Sequence, residues 1–343
     1  MHPLLVFFGA VVLLATWVDI VWTTLGTHGG GPLTRHLNAG LWRAALWMHK
    51  RRRNHRLLSF AGSTILITTL VFWVAITWLG WVLIYSSKAA SLVEKDSHVA
   101  TDLAGRIYFV GYTMFTMGNG EIAPNGPRWR ILTAICSGSG LAAISLGIAF
   151  LLEVLSAVVH RRSLGAYISD LGGTTETIVA RAWTGEEFDS LREHLLSLTS
   201  QIHAFTDEHL AYPVLHYFHS ENERAAASLR LVALHETVFL IAEGARKDKR
   251  LPAMVVEPLR SAIAGFAHVL SAEFVEPEHD EPPPPPLQTL RDANVPTVDD
   301  ATFAAAVADA RDLRRFLYGL LHDDGWTWEE MRAGKALDGK KRK

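Results

Sequence analysis

Thr116, Met117, Gly118, Asn119, Gly120 and Glu121 place a hydroxyl, two alternating glycines and a carboxylate directly after an aromatic stretch, Tyr108-Phe109-Val110-Gly111-Tyr112. Glycine reaches backbone regions closed to other L-residues, so this spacing lets successive carbonyls turn to one side. A row of such oxygens can replace the hydration shell of a cation. The plainer reading is a turn between helices, which would not need the aromatic stretch before it. Other chemistry is poorly supported. His209, His216, His219 and Glu221 could offer metal ligands on adjacent helical turns, but Pro213 interrupts the helix and no cysteine joins them. There is no nucleophile–base arrangement, and a strand followed by G-x-G-x-x-G is absent. Leu171-Gly172-Gly173-Thr174-Thr175 reads as a helix break. Neither an enzyme nor a metal site beyond permeant cations is expected.

The elements around the glycines belong to a membrane. The chain has 343 residues, 49% of them hydrophobic, one cysteine and a formal charge of −2, which excludes a disulfide scaffold, a disordered tail protein and a bulk nucleic-acid binder. Residues 1–160 hold 12 Lys/Arg and 6 Asp/Glu, whereas residues 161–343 hold 21 and 29, so a basic membrane half precedes an acidic cytosolic half. Leu57 to Ser87 carries no charge, and Ile131 to Leu152 is a second uncharged run, continued after Glu153 by Val154 to Val159. About 20 apolar residues cross ~30 Å of hydrocarbon, so both should span. Pro3 to Trp22 is a third span, apolar except for Asp19; it lacks the basic n-region and the small-x-small site of a cleaved signal peptide.

Residues 27–56 hold Arg35, Arg43, Lys50, Arg51, Arg52, Arg53 and Arg56 and no acid, which puts that loop in the cytoplasm. The N-terminus is then outside, the C-terminal half is cytoplasmic, and the location is the cell inner or plasma membrane. Leu37, Leu41, Ala44, Ala45 and Met48 recur at helical spacing and predict an interfacial helix, the alternative being a helix packed on its own protein. A full crossing by residues 104–127 would carry the acidic half outside. A helix from Gly105 to Thr116 is about 18 Å long, so this segment should enter and leave on one side.

In that setting Thr116-Met117-Gly118-Asn119-Gly120-Glu121 resembles the selectivity filter of the potassium-channel superfamily, which reads Thr-Val-Gly-Tyr-Gly-Asp. Thr116, Gly118 and Gly120 match, Glu121 stands in for the acidic residue, Met117 replaces Val or Ile, and Asn119 replaces the aromatic. The resemblance covers residues 57–160. It implies a homotetramer in the bilayer whose filter, Thr116 to Gly120, binds K⁺ through the carbonyls of Thr116, Met117, Gly118 and Asn119. Glu121 would form an anionic ring at the outer mouth or bond back to its own pore helix. Asn119 cannot supply the packing of the aromatic it replaces. The filter therefore passes both K⁺ and Na⁺, or Tyr108, Tyr112 or Trp129 restores the support.

By the same resemblance helix three lines the inner cavity, with Gly140 near the hinge glycine of the superfamily; close helix packing explains Gly140 equally well and Gly138 better. Ile144, Ile148 and Leu152 could form an apolar constriction. Glu153 draws cations to the inner mouth or pairs with Arg161 or Arg162, and Asp19 bonds Thr23, Thr24 or another helix. Neither helix one nor helix two has the repeated arginines of a voltage sensor.

The cytosolic half reads as an all-α bundle, with amphipathic candidates at Glu187–His203, Arg224–Glu243, Met254–Glu273 and Ala301–His322. His279 to Pro286, with five consecutive prolines, should be extended and exposed, and Lys340 to Lys343 form a basic tail. The expected fold is an all-α membrane protein with three transmembrane helices, a re-entrant pore helix with its filter, and a helical cytosolic domain. Its segments are a first helix (1–26), a basic loop (27–56), a pore module (57–160, pore helix 104–116, filter 116–121), a cytosolic domain (161–278), a linker (279–297) and a C-terminal helix with tail (298–343). The function this implies is a tetrameric cation channel gated at the inner helix and regulated or assembled by a cytosolic domain whose regulator is not specified. The competing reading is a non-conducting membrane sensor on a channel-like fold.

Overall fold

The computed structural model describes residues 2–26, 29–52, 55–118, 120–272 and 274–333. The expectations for Asn119, Arg53, Glu273 and the tail at 340–343 fall outside them. The elements run α1 (Pro3–Leu25), α2 (Pro32–Arg52), α3 (His55–Ser86), β1 (Leu92–Glu94), α4 (Leu103–Met114), β2 (Ile122–Pro124), α5 (Pro127–Leu171), α6 (Thr175–Ala182), α7 (Arg192–Ala211), α8 (Ala227–Phe239), α9 (Ala253–Ser271), α10 (Gln288–Asp292), α11 (Asp300–Asp309), α12 (Arg311–Asp323) and α13 (Trp328–Ala333). Among the described residues four helices, α1, α3, α5 and α9, are long and apolar enough to cross a membrane. At 1.5 Å per residue the 32 residues of α3 and the 45 of α5 reach about 48 and 68 Å, well beyond ~30 Å of hydrocarbon. The chain divides into two compact units, residues 1–41 with 63–155, and residues 42–62 with 156–343.

In the first unit α1 lies along α3. Small residues permit the approach: a Cβ on Gly9 would meet Ile84 Cγ1 and the carbonyl of Gly80 at 2.7 and 2.8 Å. Leu4, Phe7, Val11, Leu14 and Val18 face outward, as suits a lipid-contacting helix. Asp19 is fully buried. Its carboxylate accepts from the backbone N–H of Leu33 (2.8 Å) and Thr34 (3.1 Å), from the Thr34 hydroxyl, and from Trp73 Nε1 (3.0 Å). The acid therefore sits on the N-terminal end of α2, where a helix favours negative charge, and ties it to α3. Thr23, expected as an Asp19 partner, instead accepts from Gly31 N–H (2.8 Å). Four residues further along α2, Asn38 accepts from Thr69 on α3 (2.8 Å).

These bonds replace the expected interfacial helix. Thr34 and Asn38 in the first unit and Trp42, Ala45, Leu46 and His49 in the second are buried in the protein, while Ala44 and Met48 are exposed. The stripe read from apolar residues missed that α2 buries polar groups with designated partners.

The second unit is an α-helical core. All of α8 is buried, including Ser228, Arg230, His235, Glu236 and Thr237, so each polar member needs a partner. Arg314 of α12 supplies the principal one, donating Nε and Nη2 to the two oxygens of Glu236 (3.0 and 2.9 Å). Its remaining N–H groups reach the carbonyls of Pro282 (3.5 Å) and Pro283 (2.7 Å). Extended polyproline leaves its carbonyls free of internal hydrogen bonds. The proline run is thus only partly the exposed linker expected: Pro283 and Pro284 are exposed, whereas Pro282 and Pro285 are buried. Gly173, at φ +78°, breaks the helix as the sequence suggested, and Thr174 caps α6 through Thr177 N–H (3.2 Å). The helix expected over 301–322 is divided at Ala310. α9 packs Val255, Leu259, Ile263, Phe266 and Leu270 into the core.

His209 closes the α7–α9 contact, its ring edge-on to Phe205 and Phe266 at 4.3 and 5.3 Å. Burial, reinforced by the Arg161 charge, lowers its pKa to about 3. The native state therefore refuses a proton that the unfolded chain accepts below about 6.5. Stability should be complete above that pH and fall by about 1.4 kcal/mol per unit as pH drops toward 3. A His209→Phe variant should show a flatter acid limb in thermal melts recorded across that range; an unchanged limb would exclude this origin.

Candidate functional site

The short helix α4 is built to be held. Asp102 caps it, accepting from Gly105 N–H (2.7 Å). Trp78 of α3 donates Nε1–H to the Ile107 carbonyl (3.0 Å), and its ring lies where a side chain on Gly111 would fall, 2.5 Å from a Cβ there. On the other side Gly140 of α5 meets the backbone of Met114: a Cβ at 140 would lie 2.6 Å from Met114 Cα and closer still to its carbonyl oxygen. Further bonds join α3 to α5, Trp81 Nε1–H to Ser139 (2.9 Å) and Tyr85 to Thr133 (2.8 Å).

Past Met114 the chain turns sharply. Phe115 N–H returns to Gly111 and Met117 N–H to Tyr112 (3.0 and 2.9 Å), closing the helix end. Thr116 and Gly118 have φ of +55° and +74°. A non-glycine residue in the left-handed region is strained, and such strain concentrates at functional positions. The alternation was expected at Gly118 and Gly120; it falls on Thr116 and Gly118, and Gly120 is not in the left-handed region. Thr116, Met117, Gly118, Gly120 and Glu121 are all exposed.

Beyond Glu121 lies a feature with no sequence signal, a two-stranded antiparallel ribbon pairing Leu92 with Pro124, Val93 with Ala123 and Glu94 with Ile122. It anchors the outer end of the glycine segment, since Lys95 N–H donates to the Glu121 carbonyl (2.8 Å). Glu94, Asp96, Asp102 and Glu121 border one open cleft with Tyr108, giving this end a negative field attractive to cations.

Residues 63–157, which contain all of these contacts, match a family model described as an ion channel. This segment belongs to the potassium-channel superfamily. The chain as a whole belongs with "Uncharacterized membrane protein YdjJ" of Bacillus subtilis (strain 168), with 34% identity over 336 residues, 97% of this chain and 98% of that one. No solved structure gives a significant match.

Within this potassium-channel-type domain the remaining expected residues fall as follows. α5 runs unbroken through Gly140, and close packing on Met114 accounts for the missing side chain; Gly138, where packing seemed the better explanation, has open space instead. Ile148 and Leu152 are exposed, Ile144 is half-buried, and Glu153 is exposed near the end of this unit. Arg161, offered as a partner for Glu153, is engaged by Asp324 (3.1 Å) and the Leu215 carbonyl (2.6 Å). Trp129 packs tilted against Tyr85 at 5.5 Å, whereas Tyr108 and Tyr112 pack together at 4.4 Å on α4. Trp78 went unrecognised, although Trp78, Trp81 and Tyr85 recur at helical spacing on one uncharged helix. Among the described residues no three His, Cys, Asp or Glu side chains converge to hold a metal. His209, His216 and His219 instead serve the core and its hydrogen bonds.

Proposed function

We propose that this protein is a homotetrameric cation channel of the cell membrane that conducts K⁺ through Thr116 to Gly120. The observation that carries the reading is a capped 12-residue helix, seated between two apolar helices, that ends in a segment with left-handed backbone at Thr116 and Gly118. A helix C-terminus carries partial negative charge, so α4 directs a favourable field at a cation beside its end. One chain supplies one row of oxygens, and a cage needs several copies. Four copies follow from the superfamily resemblance, and the uncovered face of α5, with Leu141, Ile148, Leu152 and Leu155 exposed, is available to line a shared cavity.

In this reading Met117, Gly118 and Asn119 coordinate the ion with Thr116, Glu121 concentrates cations at the outer mouth, and Glu153 does so at the inner mouth. Ile144, Ile148 and Leu152 form the apolar constriction, and the helical unit regulates it from the cytoplasm. The three spans are α1, α3 and α5; α9 stays in the core of the cytosolic unit.

The test is the reversal potential of purified protein in a planar bilayer with K⁺ on one side and Na⁺ on the other, for the wild type and for Gly118→Ala. The expected result is a potential displaced toward that of K⁺ equilibrium, and silence in the variant, because a Cβ in the left-handed region costs about 1–2 kcal/mol in each subunit. A potential near zero would reassign the filter as passing K⁺ and Na⁺ alike. Current surviving unchanged in Gly118→Ala would overturn the filter assignment.

A further inference from the structure

The second unit contains a group of histidines that conduction does not use. His49 near the end of α2 meets His55 at the start of α3 edge-on at 4.8 Å between ring centroids, and His55 stacks on His219, after the turn at 213–217, at 5.1 Å. Trp326, between α12 and α13, covers His55 and His219 at 4.5 and 5.3 Å. Gly325 beside it is at φ +80°, and a Cβ there would meet Leu58 of α3 at 2.6 Å. These rings join residues 42–62 to the C-terminal helices.

The hydrogen bonds assign the protons. The Asp324 carbonyl can only accept, so His219 Nδ1, at 2.7 Å, carries hydrogen, and in the neutral ring Nε2 is the acceptor. That nitrogen lies 3.0 Å from His55 Nδ1, which must donate. The open nitrogen of His55, Nε2, faces Glu330 at 3.8 Å, so a first proton there would be half of an ion pair, while burial and the neighbouring His219 and His49 hold its pKa below the usual histidine value. A second proton has no such place. On His219 Nε2 it would set two N–H groups against each other at 3.0 Å. On His49 it would charge a ring that is 95% buried and whose Nδ1 has no hydrogen-bond partner.

We propose that the His49–His55–His219 cluster is a proton-operated latch, closed while no more than one ring is charged and opened when acid charges a second, releasing residues 42–62 from the C-terminal helices.

The surrounding charges fit this assignment. Asp324, 3.6 Å from His219 Nδ1, is already paired with Arg161 of α5 at 3.1 Å. Burial pushes its pKa up, but the Arg161 charge and the His219 hydrogen bond prevail and hold it at about 2, so it stays ionised while histidines titrate. His216 is bonded to Asp323 of α12 at 2.5 Å, and Arg56 of α3 pairs with Glu221 at 3.6 Å. Glu223, in the turn before α8, adds a more distant negative charge. Among these groups Glu330 is the carboxylate that can receive a protonated His55, which limits the closed state to one added charge.

Hydrogen exchange on the full-length protein in detergent, read by mass spectrometry at about pH 8 and about pH 5.5 and corrected for intrinsic exchange rates, tests the latch in the histidine range. Peptides from residues 42–52 and 55–62 should lose protection about tenfold in acid, the effect of one pH unit of titration, while peptides from α8 keep theirs. The double variant His49→Phe and His219→Asn, which keeps only His55 and its tolerated proton, should remove most of this response. Unchanged protection of the wild-type peptides, equal loss throughout the unit, or a full acid response in the double variant would each overturn the proposal. If the variant does not fold, the wild-type comparison alone decides. The readout is independent of ion flux, so silence in a bilayer leaves it standing.

Discussion

Gly140→Val is expected to abolish current while the protein remains folded and membrane-embedded. The space for a side chain at 140 is occupied by Met114 Cα and Cβ, 2.6 and 2.7 Å from a Cβ. Those atoms belong to the last turn of α4 and cannot rotate away as a flexible side chain would. Overpacking of this kind costs about 1–3 kcal/mol, enough to depopulate the seated position of α4 by roughly 5- to 100-fold. Because Met114 is two residues before Thr116, displacement there is passed directly to the strained segment. Gly138→Ala, by contrast, enters open space and should leave current near the wild-type level if that space is not filled by a neighbouring subunit. Single-channel recording of both variants separates the two glycines. Wild-type current in Gly140→Val would show that the contact with Met114 does not position the pore helix.

The second large effect is expected at Asp19. Asp19→Ala removes the acceptor for Leu33 N–H, Thr34 N–H, the Thr34 hydroxyl and Trp73 Nε1 together. Each buried donor left without a partner costs about 1–3 kcal/mol, and hydrocarbon offers no water to replace the lost acceptor. The variant should melt well below the wild type in detergent, as followed by fluorescence-detected size exclusion. Asp19→Asn, which keeps one carbonyl acceptor, should fall between them. An Asp19→Ala protein that melts with the wild type would mean these bonds add nothing net.

Much of the pore unit could be read before its structure was known because its signals are local. An uncharged run, a short aromatic helix and alternating glycines are each recognisable within a few residues, and α4 lies within two residues of its expected limits. What escaped depends on partners far apart in sequence. The ribbon of Leu92–Glu94 with Ile122–Pro124 is too short to show alternation. Trp78 is one tryptophan among 11 until its ring is seen against Gly111. In the second unit, composition indicated helices but could not foresee that Arg314 would find Glu236 78 positions away and bond the proline carbonyls. The histidines were visible as residues but their partners were not: His209 belongs to the α7–α9 contact, whereas His219 joins His55 from 164 positions earlier.

The bonds of Asp19 also impose an order on synthesis. α1 precedes α2 and α3 along the chain and carries, six residues before its last residue Leu25, a carboxylate that is costly within a lone membrane helix. Its acceptor sites are filled by Leu33 and Thr34, 14 and 15 residues later, and by Trp73, 54 residues later. Until α3 has been made, α1 is an incomplete segment whose best position keeps Asp19 near water. Lateral release into lipid is favoured only once the three helices can leave the translocation machinery as one assembled hairpin, so the first span to be translated is the last to commit to the bilayer.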